Sequence, residues 1–177
     1  ANKDKVKNTC GMMNLETVGS GESWKLKHSL NPESILDNTL RISFDMSEVH
    51  YDEIGFFEGY GNDERIYSWP SISIQSAAIQ KHPFYEYHTS LDVPDNIDSN
   101  SLKEALIICL NFASAIEKNY IPTYTSSIPP YLSKRKLYFD RWRDKENHHK
   151  YNNQLLFNIN GENSLVDLTQ ITDLSFN

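Results

Sequence analysis

The chain has 177 residues, of which 38% are hydrophobic and 12% aromatic, with a formal net charge of -7. That apolar content suits a folded core and excludes wholesale disorder, and the length allows one domain or one domain with a small appendage. The acidic balance argues against a nucleic-acid-binding body and against an anionic membrane surface, because both need clustered Lys and Arg.

In chain order, CGMMNLETVG (10–19) reads as a buried strand ended by Gly19. SWKLKHS then alternates like a half-exposed strand, with Trp24 and Leu26 on one face and Lys25 and Lys27 on the other. NPES predicts a helix start, with Asn31 as cap, Pro32 at the first helical position and Ile35, Leu36, Leu40 and Ile42 as apolar positions. VHYDEI is a short strand entering a glycine-punctuated loop, Gly55 to Gly61. IYSWPSISIQS reads as a strand through Ile72 and Ile74, and KHPFYEYHTSLDVPDNIDSN as a long polar loop. SLKEALIICLNFASAIEKN is the clearest helix. Ser101 and Glu104 form a capping box for it, and Leu102, Ala105, Leu106, Cys109, Phe112, Ala113 and Ile116 its buried stripe.

This alternation up to about residue 119 predicts an α/β fold. IPTYTSSIPPYLSKRK, with three prolines, reads as a connector, so the expected division is 1–120, a linker at 121–136, and a tail at 137–177. The tail predicts two short helices, one through Tyr151–Ile159 and one opening at Asn163/Ser164. No window approaches the ~20 apolar residues of a membrane span, and the N-terminus lacks the apolar core of a signal peptide. Two cysteines, Cys10 and Cys109, are too few for a disulfide framework, so a cytoplasmic location is expected. The chain opens almost at once on the strand-like run Cys10 to Leu15 and ends at 174–177 within a helical pattern, so a fragment of a longer protein is expected.

Four stretches carry side chains suited to chemistry. In NLETVG, Glu16 ends a buried strand, where a carboxylate is costly unless paired or metal-bound; a solvent-facing glutamate is the alternative. In YHTSLD, the His88 imidazole can ligate zinc, with Asp92 able to fix its tautomer; a surface-loop histidine is the alternative. GYGNDER brings Asp63, Glu64 and Arg65 beside glycines that permit close approach, or else is a solvated loop with an internal ion pair. His148 and His149 are adjacent, a poor spacing for two ligands on one helix face, and read as solvated surface. Nucleophile, CxxC, HExxH and phosphate-loop motifs are absent.

Taken in order, NLETVG and YHTSLDVPDNID resemble the zinc aminopeptidase family, whose α/β sandwich holds paired metals. There the first motif reads N-L-D-M-V-G and the second H-T-x-x-D-x-x-D-x-I-D. Asn62-Asp63-Glu64 and Pro70-Ser71-Ile72 lie between them as in the family. NDERIY and YEYHTSLD are similar to a bacterial aminopeptidase-like subgroup with a winged-helix-like C-terminal tail, and the resemblance spans roughly residues 10–176. It implies a zinc-peptidase-like α/β sandwich with a small, mainly helical, winged-helix-like appendage. It also implies Glu16 and His88 as zinc ligands, with Asp63, Glu64, Arg65, Tyr87 and Asp92 around the cleft. One or two zinc ions in the intact protein, and a peptide or small amide substrate, follow from it. Position 16 departs from the family aspartate. The family's remaining ligands and general base lie upstream of this motif, and the fifteen residues before Glu16 contain no His or Glu, so no catalytic base is expected here.

The rival reading is a non-catalytic scaffold whose tail docks a partner. The tail carries Lys134, Arg135, Lys136, Arg141, Arg143 and Lys145, but interspersed acids dilute the patch, which favours a protein partner over nucleic acid.

Overall fold

A computed structural model describes residues 3–140, 142–172 and 174–176. Arg141, counted above among the tail's bases, lies outside the described residues, as do tail positions 173 and 177. The architecture is α/β and divides into two compact units, Ala1–Ser114 and Ala115–Asn177.

The first unit opens with a short helix, α1 (Lys3–Lys7), and then four strands and three helices in the order β1 (Met12–Glu16), β2 (Ser23–Lys27), α2 (Ile35–Ser47), β3 (Tyr51–Ile54), α3 (Glu64–Tyr67), β4 (Ser76–His82) and α4 (Ser99–Lys118). The division between the units falls within α4. The strands form one mixed sheet in the order β1-β4-β2-β3, with β1 parallel to β4, β4 antiparallel to β2, and β2 parallel to β3. Register decides which side chains share a face. Leu15, Ile79 and Leu26 are paired across three strands. Ile79 and Leu26, with Trp24 and Ala77, pack against Leu36, Leu40 and Phe44 of α2 and Ala105 and Ile108 of α4, whereas Leu15 on the outer strand is exposed. The opposite face carries Asn14, Ala78 and Lys27 in one cross-strand row and Glu16, Gln80 and Lys25 in the next.

Several local expectations shift. Lys27 is fully buried rather than half-exposed, because it finds a carboxylate on the sheet's second face. The second helix starts at Ser34, not Asn31: Ser34 Oγ accepts the Asp37 N–H and donates to the Asp37 carboxylate, while Pro32 lies in the preceding turn. Ile72 and Ile74 precede β4 rather than belong to it, since the Ile72 and Ser73 amides close turns onto the Trp69 carbonyl. At the start of α4 the cap is Asp98, whose carboxylate accepts the N–H groups of Asn100 and Ser101. The buried side of α4 runs through Ser101, Ala105 and Ile108, whereas Leu102 and Leu106 are exposed. This helix is apolar on more than one side, so periodicity alone does not fix its rotation.

The second unit contains a 3-10 turn (Leu132–Arg135) and two helices, α5 (His148–Asn158) and α6 (Leu165–Thr172). The first of these begins three residues before the expected Tyr151, with the Asp144 carboxylate accepting the His149 N–H. The second is capped as expected by Ser164, whose Oγ accepts the Asp167 N–H while Asp167 returns an acceptor to the Ser164 N–H. Both cysteines are free. No helix among the described residues is long and apolar enough to cross a membrane.

Candidate functional site

Glu16 is the last residue of β1 and pairs in register with Gln80 near the end of the parallel neighbour β4. The two strands therefore deliver their carboxyl ends to one edge of the sheet, where open α/β sheets place ligands. The chain leaves β4 through a cis His82–Pro83 bond into the loop that carries Tyr87 and His88.

Tyr87 joins the two candidate ligands. Its ring stacks on His88 with centroids 4.0 Å apart and 16° between planes. Its phenol faces the Glu16 carboxylate, and its pKa is pushed up by loss of solvent and by the negative charge of Glu16. Glu16 also accepts a hydrogen bond from the Asn62 side-chain amide, so it is held by the loops that follow both β3 and β4. The His88 ring is exposed and terminates an aromatic ladder: His82 lies edge-on to Tyr60 at 4.8 Å, and Tyr60 lies 4.3 Å from Tyr87. Tyr60 is fixed at its far end, where its hydroxyl donates to the Phe84 carbonyl and accepts from the Phe84 N–H, both at 2.9 Å.

Two backbone positions at this edge are left-handed. Thr17, directly after Glu16, has φ 48°, and His88 has φ 59°. A β-branched residue at positive φ is a real outlier. Thr17 is held there by its hydroxyl, which donates to the Lys81 carbonyl at 2.7 Å. Strain of this kind collects at functional sites, where the surrounding structure over-determines it.

Beneath the edge lies a buried charge pair. Glu64, the first residue of α3, is fully buried, and its carboxylate accepts from Lys27 Nζ at 2.7 Å. Both carboxylate oxygens also lie 3.0 Å from the Asn62 N–H, and one accepts from the Asn14 side-chain amide at 3.4 Å. Burial alone would push this acid up, but Lys27 and the backbone N–H donors hold it below the usual carboxylate range. Lys27 also donates to the Tyr60 carbonyl at 2.6 Å.

The structure thus brings Glu16, Tyr87 and His88 together, with Glu64 one residue-to-residue step behind through Asn62. It does not bring the other expected residues into that contact network. Asp63 and Arg65 are exposed, with Arg65 lying against Gly61. Asp92 is exposed too, and its N–H closes a turn on the Thr89 carbonyl; no hydrogen bond joins its carboxylate to His88 among the described residues. Sequence reasoning missed Lys27 and Tyr60. Strand alternation treats Lys27 like Lys25, and nothing local marks a partner 37 positions away. Among the described residues, no group of three or more His, Cys, Asp or Glu side chains is placed to hold a metal ion.

The profile of the family described as "Domain of unknown function (DUF4910)" matches residues 1–119. A crystal structure of a "putative peptidase" from Clostridium acetobutylicum is similar over 99% of this chain, with a TM-score of 0.75 and 24% sequence identity. At that identity the likeness establishes the fold. The chain spans 39% of the length of that protein. Comparison with curated proteins finds no match.

Proposed function

The chain belongs to the family described as domain of unknown function DUF4910, and on that footing we propose that it is part of a zinc-dependent, aminopeptidase-like hydrolase acting on a peptide or small amide. The observation that carries the reading is the bridge from Glu16 through Tyr87 to His88 at the carboxyl edge of β1 and β4. The likeness in fold to a protein described as a peptidase supports it.

In this reading Glu16 and His88 supply two protein ligands to one of the one or two zinc ions of the intact protein. A catalytic zinc needs three, and the described residues hold no group of three or more candidate donors. The third ligand and the general base would come from a longer protein. When bound, zinc polarises a carbonyl and lowers the pKa of a bound water toward ~7. The residues present act on the donors themselves. Asn62 fixes the Glu16 carboxylate by hydrogen bonding, and the Tyr87 ring sets the plane of the His88 imidazole. The same reading takes the protein as cytoplasmic, with residues 137–177 available to a protein partner.

Elemental analysis, zinc titration calorimetry and hydrolysis of an aminoacyl p-nitroanilide test the reading. This polypeptide should take up zinc weakly, lose that uptake in Glu16→Gln and His88→Ala, and hydrolyse little or no substrate. Unchanged zinc uptake in the Glu16→Gln/His88→Ala variant would overturn the ligand assignment. Robust hydrolysis by this polypeptide alone would overturn the placement of the base elsewhere.

A further inference from the structure

The two groups that hold Glu16 both trace back to one short segment, Tyr60–Glu64. Asn62 reaches Glu16 directly, and Tyr60 supports the Tyr87 ring. That segment is pinned at two points. Lys27 Nζ takes the Tyr60 carbonyl at 2.6 Å, and the Glu64 carboxylate takes the Asn62 N–H at 3.0 Å. Lys27 and Glu64 are in turn fixed to one another, and neither side chain is exposed. Asn14, on the same cross-strand row as Lys27, adds a third tie to Glu64.

We propose that Lys27 and Glu64 form a positioning pair, which locks the segment from Tyr60 to Glu64 onto the sheet so that Asn62 and Tyr87 present the Glu16 carboxylate in one fixed orientation. Its functional consequence rests on the reading of Glu16 as a ligand. The pair touches no substrate and acts through Asn62 and Tyr60. A buried ion pair is weak evidence for stability as such, because two apolar residues of similar volume often serve equally well. Its use here is the geometry it imposes on a loop that has few apolar contacts: Gly59, Gly61, Asn62 and Asp63 are all exposed.

The test replaces both charges with apolar residues, Lys27→Met/Glu64→Leu, so that no buried charge is stranded. Melting is followed by circular dichroism. NMR reads hydrogen exchange of the Asn62 backbone N–H and the ring-to-ring Overhauser effects between Tyr60 and Tyr87, and zinc chloride is titrated calorimetrically. The variant should stay folded, lose at least about tenfold in Asn62 protection, lose the ring contacts, and weaken zinc uptake by about tenfold or more. A matched change at the surface pair, Lys25→Met/Asp52→Leu, should leave Asn62 and Tyr87 as they are. Wild-type Asn62 protection and ring contacts in the folded double variant would overturn the proposal. So would an equal loss in the surface control, which would show general loosening of the sheet. If the double variant does not fold, Lys27→Leu/Glu64→Met, which also removes the acceptor of the Asn62 N–H, reads the same signals, and full Asn62 protection there is equally fatal. A wild-type chain that takes up no zinc, yet loses Asn62 protection on substitution of the pair, would remove the ligand role of Glu16 and leave the positioning role standing.

Discussion

Lys27 and Glu64 meet at 2.7 Å with neither side chain exposed to solvent. Removing one partner alone leaves the other charge buried, which costs about 3–5 kcal/mol. Lys27→Met should therefore lower the melting temperature sharply, whereas Lys27→Met/Glu64→Leu should recover most of the loss. The pH dependence separates the cases. In the wild type, Glu64 is held below its usual range, so its contribution is present above the unfolded value of ~4.3 and is lost as pH falls through the folded value. In Lys27→Met, burial acts unopposed by the lysine and favours the protonated acid. That variant should regain stability as pH falls from 7 toward 4, in denaturant titrations at each pH. A Lys27→Met penalty that does not shrink on acidification would show that Glu64 is not the stranded charge.

Gly59 sits at φ 62°, and a methyl group there would fall 2.2 Å from Gln80 Nε2 and 2.8 Å from Ile54 Cδ1. Gly59→Ala combines a left-handed backbone, worth roughly 1–2 kcal/mol for a residue with a Cβ, with a clash against a fully buried glutamine. Gln80 Oε1 accepts the Tyr60 N–H at 3.3 Å, so displacement of Gln80 acts on the aromatic ladder too. The expected outcome is a loss of more than about 1 kcal/mol in urea denaturation, together with altered Tyr60 and Tyr87 ring resonances. Wild-type stability in this variant would mean that the loop rearranges freely around Gly59.

Asp144 collects donors from two imidazoles and a helix start. His148 Nδ1 lies 3.0 Å from one oxygen, and His149 Nδ1 and the His149 N–H lie 2.8 and 2.6 Å from the other. Burial opposes the charged form, but these hydrogen bonds prevail and hold the acid well below the usual carboxylate range. A depressed carboxylate stabilises above its unfolded value, ~3.9, and the contribution disappears as pH falls through the lower folded value. The start of α5 should therefore stay ordered through pH 4 and loosen only in stronger acid. Asp144→Asn should loosen it at pH 7, read as faster amide exchange at His149–Tyr151. Unchanged exchange there would show that α5 starts without this cap.

The order of the four strands, α2 and α4 in the first unit was legible because these elements have local causes, whereas the short helices α1 and α3 went unread. Trp24 and Leu26 alternate, and Pro32 and the hydroxyls mark a helix entry; in the second unit Asn163 and Ser164 mark another. Face and rotation were less so. Leu102 and Leu106 fit a buried stripe as well as Ala105 and Ile108 do, and only the position of the sheet decides between them. Within the site, Glu16 and His88 were marked by motif order, but the link between them was not. It depends on Tyr87 folding back to Glu16, and on a sheet register that puts Lys27 in line with Asn14. The ties of Lys27 and Asn14 to Glu64 join positions 37 and 50 residues apart, and a single sequence carries no local signal for such contacts.

The entry to α2 offers a last case in which hydrogen bonds outweigh the cap itself. Asp37 is fully buried and Ser29 is 2% exposed. The Asp37 carboxylate accepts from the Ser29 N–H at 2.9 Å, from Ser29 Oγ at 2.6 Å, from Ser34 Oγ and from His28 Nδ1. Ser34→Ala removes the cap to the Asp37 N–H and should cost about 1 kcal/mol. Asp37→Ala leaves the buried Ser29 N–H without its acceptor, at about 1–3 kcal/mol for a stranded buried donor. It also takes the carboxylate from both hydroxyls, although Ser29 Oγ keeps the Asn31 carbonyl, so it should cost more than the cap. The two residues share one network, so their effects should not add: the double variant should lose less than the sum by at least about 0.5 kcal/mol. Chemical denaturation of the two single variants and the double variant measures this coupling. Strict additivity would show that Ser34 caps the helix independently of the Asp37 network.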